Sequence, residues 1–213
     1  MKSPDRIPLR SLLGPENGAC SARMKELAAR IANGALFVYP TETIYGIGGC
    51  FGVPGVGEKI FLAKKRATGS PLILIAPERA SFDALSLIFP PAAEALSRAF
   101  WPGMLTLVLP SSRSNGPGGI GVRVSKHPFI KALFKYCNLP IYSTSANMSG
   151  EPYVNDTDLI YGQFSDAVDF MVDAGPLPDS PPSTVVKVGE DNTVTVLREG
   201  AISAAKIAAI TLA

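Results

Sequence analysis

Short apolar runs alternate with amphipathic stretches along nearly the whole chain. Met24, Leu27, Ala28 and Ile31 recur at helical spacing, with Ser21 placed to cap that helix and Gly34 standing where a left-handed C-terminal residue would end it. Ala35 to Tyr39 is then a run too short for a helix, so it reads as a strand buried on both faces and stopped by Pro40. The pairing repeats: a helix near 56–64 leads to a strand at 72–76, and a helix at 92–100 leads to one at 105–109. Farther on come a strand at 121–124, a helix at 128–137, a strand at 141–143 and a helix near 158–163. Strands near 170–172, 184–188 and 193–197 and a helix from Ser203 complete the chain. This alternation predicts an α/β fold, a twisted sheet covered by helices. The Asp191-Asn192 step between the last two strands reads as a hairpin turn, which makes the sheet mixed. Residues 21–213 are expected to form a single domain behind an N-terminal extension, 1–20, with Pro176 to Pro182 as a loop over the site.

Composition adds limits. A chain of 213 residues with 46% hydrophobic residues buries a substantial core in one domain. Lys and Arg number 20 against 18 Asp and Glu, so any polyanion site must be a local concentration of charge. The N-terminus is broken by Pro4, Pro8 and Pro15 and lacks the apolar core of a signal peptide, which predicts a cytoplasmic protein. Apolar stretches such as Ala201 to Ala213, interrupted by Lys206, fall short of the roughly 20 residues that span a bilayer, so no membrane role is expected. Cys20, Cys50 and Cys137 are widely spaced and His127 is the only histidine, which disfavours both a zinc site and a disulfide framework.

Several common motifs fail. Gly116-Pro117-Gly118-Gly119-Ile120-Gly121 matches the G-x-G-x-x-G dinucleotide pattern in letters, but it leads into a strand where the fingerprint must open a helix. No P-loop and no Gly-x-Ser-x-Gly elbow occur, and His127, followed by Pro128, suits helix capping better than general-base chemistry. The chemistry left is one that asks little of side-chain nucleophiles. Adenylation is of that kind: a substrate carboxylate or carbamate attacks the α-phosphate of ATP, and the protein supplies positioning and positive charge.

Four segments could carry it. Pro40-Thr41-Glu42-Thr43-Ile44-Tyr45-Gly46 lies at the end of a buried strand, where ligands of open α/β sheets collect, and Gly46, Gly48 and Gly49 would let backbone N–H groups approach a ligand. Lys64-Lys65-Arg66 sits at a helix C-terminus, where cations complement the dipole; Lys64 and Arg66 could also point the same way and hold phosphate and carboxylate. The loop Ser143 to Gly150 can satisfy itself through Ser and Asx turns or hydrogen-bond an amino acid or nucleotide. Ser183, Thr184 and Arg198 could meet on one face.

Together these segments resemble the YrdC family of threonylcarbamoyl-AMP synthases, from about Ser21 to Gly200. The motifs that carry the resemblance are Pro40 to Gly46, Lys64-x-Arg66, Pro71-Leu72-Ile73, Trp101-Pro102-Gly103, Val122-Arg123-Val124 with His127-Pro128, Ser145-Ala146-Asn147-x-Ser149-Gly150 and Leu197-Arg198-x-Gly200. The resemblance implies an open mixed sheet with a concave cavity, and an enzyme that joins L-threonine, bicarbonate and ATP into threonylcarbamoyl-AMP with Mg²⁺ shielding the leaving phosphates. It implies a tetrad of Lys64, Arg66, Ser145 and Asn147 on phosphates and carbamate, with Thr41, Tyr45, Arg123 and Thr144 toward the substrate and Ser183, Thr184 and Arg198 toward the nucleotide. Downstream it implies a threonylcarbamoyl transferase complex and a contact with tRNA. Two departures stand out: Ala67 where many members have proline, and Ile75 where many have histidine. The chain stops soon after Arg198, as in the short single-domain type. A non-catalytic RNA-binding module and a paralogue making another carbamoyl or acyl adenylate are the competing readings.

Overall fold

The computed structural model describes residues 4–14, 18–68, 72–113 and 118–211. Ten strands among these residues form one open mixed sheet. In chain order they are β1 (Asp5–Pro8), β2 (Phe37–Tyr39), β3 (Gly46–Cys50), β4 (Ile73–Ala76), β5 (Leu105–Leu109), β6 (Ile120–Val124), β7 (Ile141–Ser145), β8 (Phe170–Asp173), β9 (Thr184–Val188) and β10 (Val194–Arg198). Across the sheet they run β1-β8-β2-β3-β7-β4-β6-β5-β9-β10. The helices are α1 (Ala19–Ala32), α2 (Val56–Ala63), α3 (Pro91–Phe100), α4 (Pro128–Leu133), α5 (Thr157–Phe164) and α6 (Ala204–Thr211).

Side chains alternate across each strand, and this alternation sorts the helices by face. On one face Phe37, Tyr39, Ile75, Ile141 and Phe170 pack beneath α1 and α4. On the other, Val38, Ile47 and Met171 pack beneath α2 and α5, and Leu74, Leu107, Val122 and Val186 beneath α3 and α6. The first face is only half covered. Beyond α1 and α4, the same-face positions Ile73, Ser143, Gly121, Val108, Thr106 and Val185, all in register, look into a cavity. The concavity comes from having helices over the whole of one face and over one end of the other.

The expected hairpin is present: β9 and β10 pair antiparallel, and Asn192 takes a left-handed φ of 66° in the turn. Several expectations need correction. Helix α1 starts at Ala19 with Gly18 as N-cap, so Ser21 lies inside it. Residues 5–8, left without an element by periodicity, add a parallel edge strand to β8. Ser143, Thr144 and Ser145 belong to β7, so the hydroxyl loop begins later than expected. The glycines after Tyr45 form β3 itself. The Tyr39 ring crosses this strand to bond the Ser143 hydroxyl on β7 at 2.6 Å, and a Cβ on Gly48 would stand 2.1 Å from the Tyr142 carbonyl oxygen. Bare backbone is therefore needed for strand packing at Gly48 and Gly49, while Gly46 also lines the cavity.

Candidate functional site

The cavity holds about 490 Å³ and is lined by Arg66, Arg123 and Arg198, with hydroxyls of Thr41, Thr43, Thr144, Ser145 and Ser183. No aspartate or glutamate stands among the described lining residues. Arginines without lining carboxylates make a receptor for an anion.

The Lys64–Arg66 turn is built by the end of α2. Lys64 closes the helix, Lys65 takes a positive φ of 51°, and the reversal turns both flanking side chains toward β7. Lys64 Nζ donates to the Ser145 carbonyl oxygen, and Arg66 Nη1 donates to the Thr144 hydroxyl at 3.4 Å. The Lys64 backbone carbonyl in turn accepts from Ser149 N–H, so the helix end and the loop after β7 are tied together. Lys64 is 3% exposed; burial, reinforced by the Arg66 charge, lowers its ammonium to about 8. Asn147 braces the same loop: its Nδ2 donates to the carbonyls of Met148 (3.1 Å) and Glu151 (2.6 Å), while its buried Oδ1 has no partner among the described residues. Both expected roles coincide in one amide, with the donors spent on the loop and the acceptor unspent.

Arg123 is held from three sides. Its Nε donates to Gly103 O at 2.9 Å, Nη2 to Glu42 at 2.9 Å, and Nη1 to the Thr43 hydroxyl at 3.3 Å. Glu42 also accepts from Ser125 Oγ (2.9 Å) and Lys126 N–H (2.6 Å). Burial depresses the Arg123 pKa and the Glu42 charge works against it. The ion-pair role weighed for Arg123 is thus present in a group that also lines the cavity. The Trp101-Pro102-Gly103 motif has its purpose here: Gly103 receives Arg123 and donates to Val124 O, and a Cβ on it would meet Phe100 O at 2.6 Å.

At the far end, Arg198 donates through Nε and Nη2 to Ser183 O, and Ser183 Oγ bonds Thr106 Oγ1 at 2.9 Å. Gly200 lets the chain pass Pro182, whose carbonyl oxygen would lie 2.1 Å from an added Cβ.

Two expected residues are turned to other work. The Thr184 hydroxyl donates to Ile202 O and accepts from the N–H groups of Gly200 and Ile202, a staple outside the cavity lining. Tyr45 lines the cavity, but its ring is buried in the core and its hydroxyl donates to Gly175 O and accepts from Ala174 N–H. Of the proposed loop Pro176 to Pro182, only Pro182 lines the cavity. His127 caps α4, its Nδ1 accepting from Phe129 N–H. Ile75 sits in the core beside Tyr39 and Ile141. Pro71 of the Pro71-Leu72-Ile73 run lies outside the described residues, as do Gly116 and Pro117. Glu42, Thr43 and Thr106 were missed as site residues; for Glu42 and Thr43 the signal was present, a carboxylate and a second hydroxyl inside a motif already singled out.

The Sua5–YciO–YrdC family model, described as "Telomere recombination", matches residues 29–200. The chain belongs to that family. A threonylcarbamoyl-AMP synthase of Bacillus subtilis is 32% identical over 195 residues, covering 88% of this chain and 56% of its own length. A putative threonylcarbamoyl-AMP synthase of Mycobacterium leprae is 33% identical over 189 residues, covering 85% of this chain and 84% of the relative. Among solved structures, Pyrococcus abyssi Sua5 complexed with L-threonine superposes with a TM-score of 0.83 at 28% identity, over 97% of this chain and 60% of that one. Escherichia coli YciO, at 22% identity and a TM-score of 0.79, shares the fold over 97% of this chain and all of its own. The chain therefore spans little more than half the length of the Bacillus relative and all of YciO.

Proposed function

We propose that this family member forms threonylcarbamoyl-AMP and pyrophosphate from L-threonine, bicarbonate and ATP, for threonylcarbamoyladenosine modification of tRNA. The observation that carries the reading is the cavity: three arginines line it, a buried lysine stands behind it, and no carboxylate lies among its described lining residues. The names of the relatives point to the same reaction. The threonine amine and bicarbonate condense to a carbamate with loss of water; a carbamate oxygen then attacks the α-phosphorus of ATP and pyrophosphate leaves. Charge develops on phosphate oxygens during that step, and fixed cations in a water-poor cavity stabilise it. On this reading Arg66 and Lys64 serve the reacting phosphate and carbamate through the end of β7, with Thr144 and Ser145; Asn147, its N–H donors spent on the loop, offers its Oδ1 to a substrate N–H or hydroxyl, and Arg198 with Ser183 serves the nucleotide.

Mg²⁺ would come with ATP. The described residues hold no group of three His, Cys, Asp or Glu side chains that could bind a metal, and the nearby Glu42 is engaged by Arg123, Ser125 and Lys126. The donors among the described residues do not fit a resident ion. The product would pass to a threonylcarbamoyl transferase complex acting on tRNA, in the cytoplasm. No helix among the described residues is long and apolar enough to cross a membrane. The RNA-module and paralogue readings have no observation in their favour.

The test is incubation with ATP, bicarbonate and each of several amino acids while pyrophosphate is measured. Release is expected only with L-threonine, bicarbonate and ATP together; equal release without bicarbonate overturns the reading.

A further inference from the structure

Guanidinium, aromatic ring and carboxylate recur together in this chain. Arg79 lies 3.7 Å from the Phe89 ring centroid and grips Glu94 with two bonds, of 2.9 and 2.8 Å. Arg6 stands over Tyr161 and bonds Asp158 and Asp173, and Arg30 stands over Phe170 and bonds Asp5. The ring face attracts the cation and the carboxylate orients it, so each of these places is a receptor filled by the chain's own arginine.

One further set has the rings and the carboxylate but no cation among the described residues. It forms a second cavity, of about 440 Å³, on the opposite sheet face from the arginine-lined one: Tyr142 of β7 lines it, while its neighbour Ser143 faces the other way. Phe51, directly after β3, meets the Tyr142 ring edge to face with centroids 5.4 Å apart. Glu58 and Phe61, three residues apart on α2, share one side of that helix and complete the lining. Burial raises the Tyr142 pKa and the Glu58 charge adds to it, which places the carboxylate close to that phenol. Glu58 is exposed and pairs with no cation among the described residues, and no Lys, Arg or His stands among the described lining residues. An acid in the first turn of α2 complements the helix dipole, which accounts for Glu58 but not for three rings gathered beside it. Gly57, inside α2, lines the cavity with no described atom within 4 Å of where a Cβ would stand, so packing does not require a glycine there and the wall stays open.

We propose that this second cavity binds a small organic cation, a substituted guanidinium compound, held between the rings of Phe51, Phe61 and Tyr142 and the Glu58 carboxylate. A volume of about 440 Å³ is in the range of small-molecule sites, which favours a free molecule over the tip of a partner's side chain. The inference does not rest on the proposed reaction. Among the described lining residues only Leu72 is shared with the arginine-lined cavity, and the charge of that cavity repels a cation.

Calorimetric titration of the intact chain with N-butylguanidinium, and with neutral N-butylurea of nearly the same shape, reads the role of the charge directly. The cation should bind with a dissociation constant on the order of 1 mM, as suits its few heavy atoms, and the urea about tenfold more weakly or worse. Glu58→Gln should weaken the cation by about tenfold or more and Phe61→Leu by roughly threefold, while Gly57→Leu, which fills the cavity from α2, should abolish binding. If Phe61→Leu does not fold, the Glu58 and Gly57 variants on the helix surface still decide the site. Urea bound as tightly as the cation, or an affinity unchanged in both Glu58→Gln and Gly57→Leu, overturns the proposal. So does a parent that shows no binding up to roughly ten times the expected constant. A capped tripeptide with a central arginine separates the sources. Binding no tighter than that of butylguanidinium supports a free molecule, whereas binding about tenfold tighter would assign the cavity to an arginine of a partner chain and overturn the free-ligand reading.

Discussion

Replacing Arg66 by Lys should weaken catalysis while sparing the fold. The guanidinium is half-buried, and its bond to the Thr144 hydroxyl, at 3.4 Å, is at the long end of the hydrogen-bond range. Losing it costs about 0.5 kcal/mol, or roughly 1–2 °C in melting temperature for a domain of this size. The functional loss is larger. A planar fork on a carboxylate or phosphate makes two charge-assisted bonds of about 1.5–3 kcal/mol each. Lys keeps the charge and one bond, so Arg66→Lys should lower kcat/KM by roughly ten- to 150-fold, and Arg66→Ala by at least as much. Initial rates of pyrophosphate release at varied L-threonine and ATP, set beside thermal melts of the same samples, measure both quantities. An Arg66→Lys variant with the parent's kcat/KM would reduce Arg66 to a charge at a helix end. So would an Arg66→Ala variant whose activity falls only in step with its melting temperature.

Asn147→Ala removes two loop bonds and one unpartnered acceptor; it should lower stability by about 1–2 kcal/mol in a denaturant titration and turnover by up to roughly tenfold, the loss of one accepted bond from the substrate, and early melting with normal turnover would take Asn147 out of the site. Lys64 is lowered to about 8 from 10.5 in the free protein, so its share of stability is least below pH 8 and recovers as pH rises from there toward 10.5. A polyanion should restore the charge, so ATP binding near pH 8.5 should take up protons, seen as calorimetric heats that vary with buffer ionisation enthalpy and lost in Lys64→Met; buffer-independent heats would refute it. Gly48→Ala should cost about 3 kcal/mol or more or prevent folding, because its Cβ overlaps the Tyr142 carbonyl, and a variant as stable as the parent would show that the strands can part.

Most of the architecture could be read from the apolar runs because those strands are buried on both faces and declare themselves by composition alone. The two strands that escaped show what such reading depends on. Strand β1 is held from far along the chain: Arg6 bonds Asp158 and Asp173, and a pairing with residues more than 150 positions away leaves no local trace. Strand β3 carries almost no apolar signal, because Gly46, Gly48 and Gly49 yield their volume to the Tyr39 ring, Val56 and the neighbouring strands. The covered and uncovered halves of one sheet face, which make the cavity, depend on where α1 and α4 dock, and periodicity does not contain that.

At the site, residue types were legible and roles were not, for a reason that lies in the chemistry of hydroxyls and amides. A sequence shows that Thr41, Thr43, Tyr45 and Thr184 each carry an oxygen; whether that oxygen is available depends on which backbone groups stand within about 3 Å of it. Thr184 and Tyr45 spend theirs on Ile202 and Gly175, and Thr41 on Ile44. Cations behave differently. Lys64 and Arg66 have several donors each, so a single internal bond does not exhaust them, and the positive φ at Lys65 is enough to aim both at the end of β7. This is why Arg66 of the Lys-x-Arg motif reaches the cavity with donors to spare, while Thr41 and Tyr45 line it with their oxygens spent and Thr184 lies outside the lining. In a site that works through preorganised donors, the lysine and the arginines indicate where an anion can sit, and the hydrogen-bond inventory decides which hydroxyls remain to recognise it.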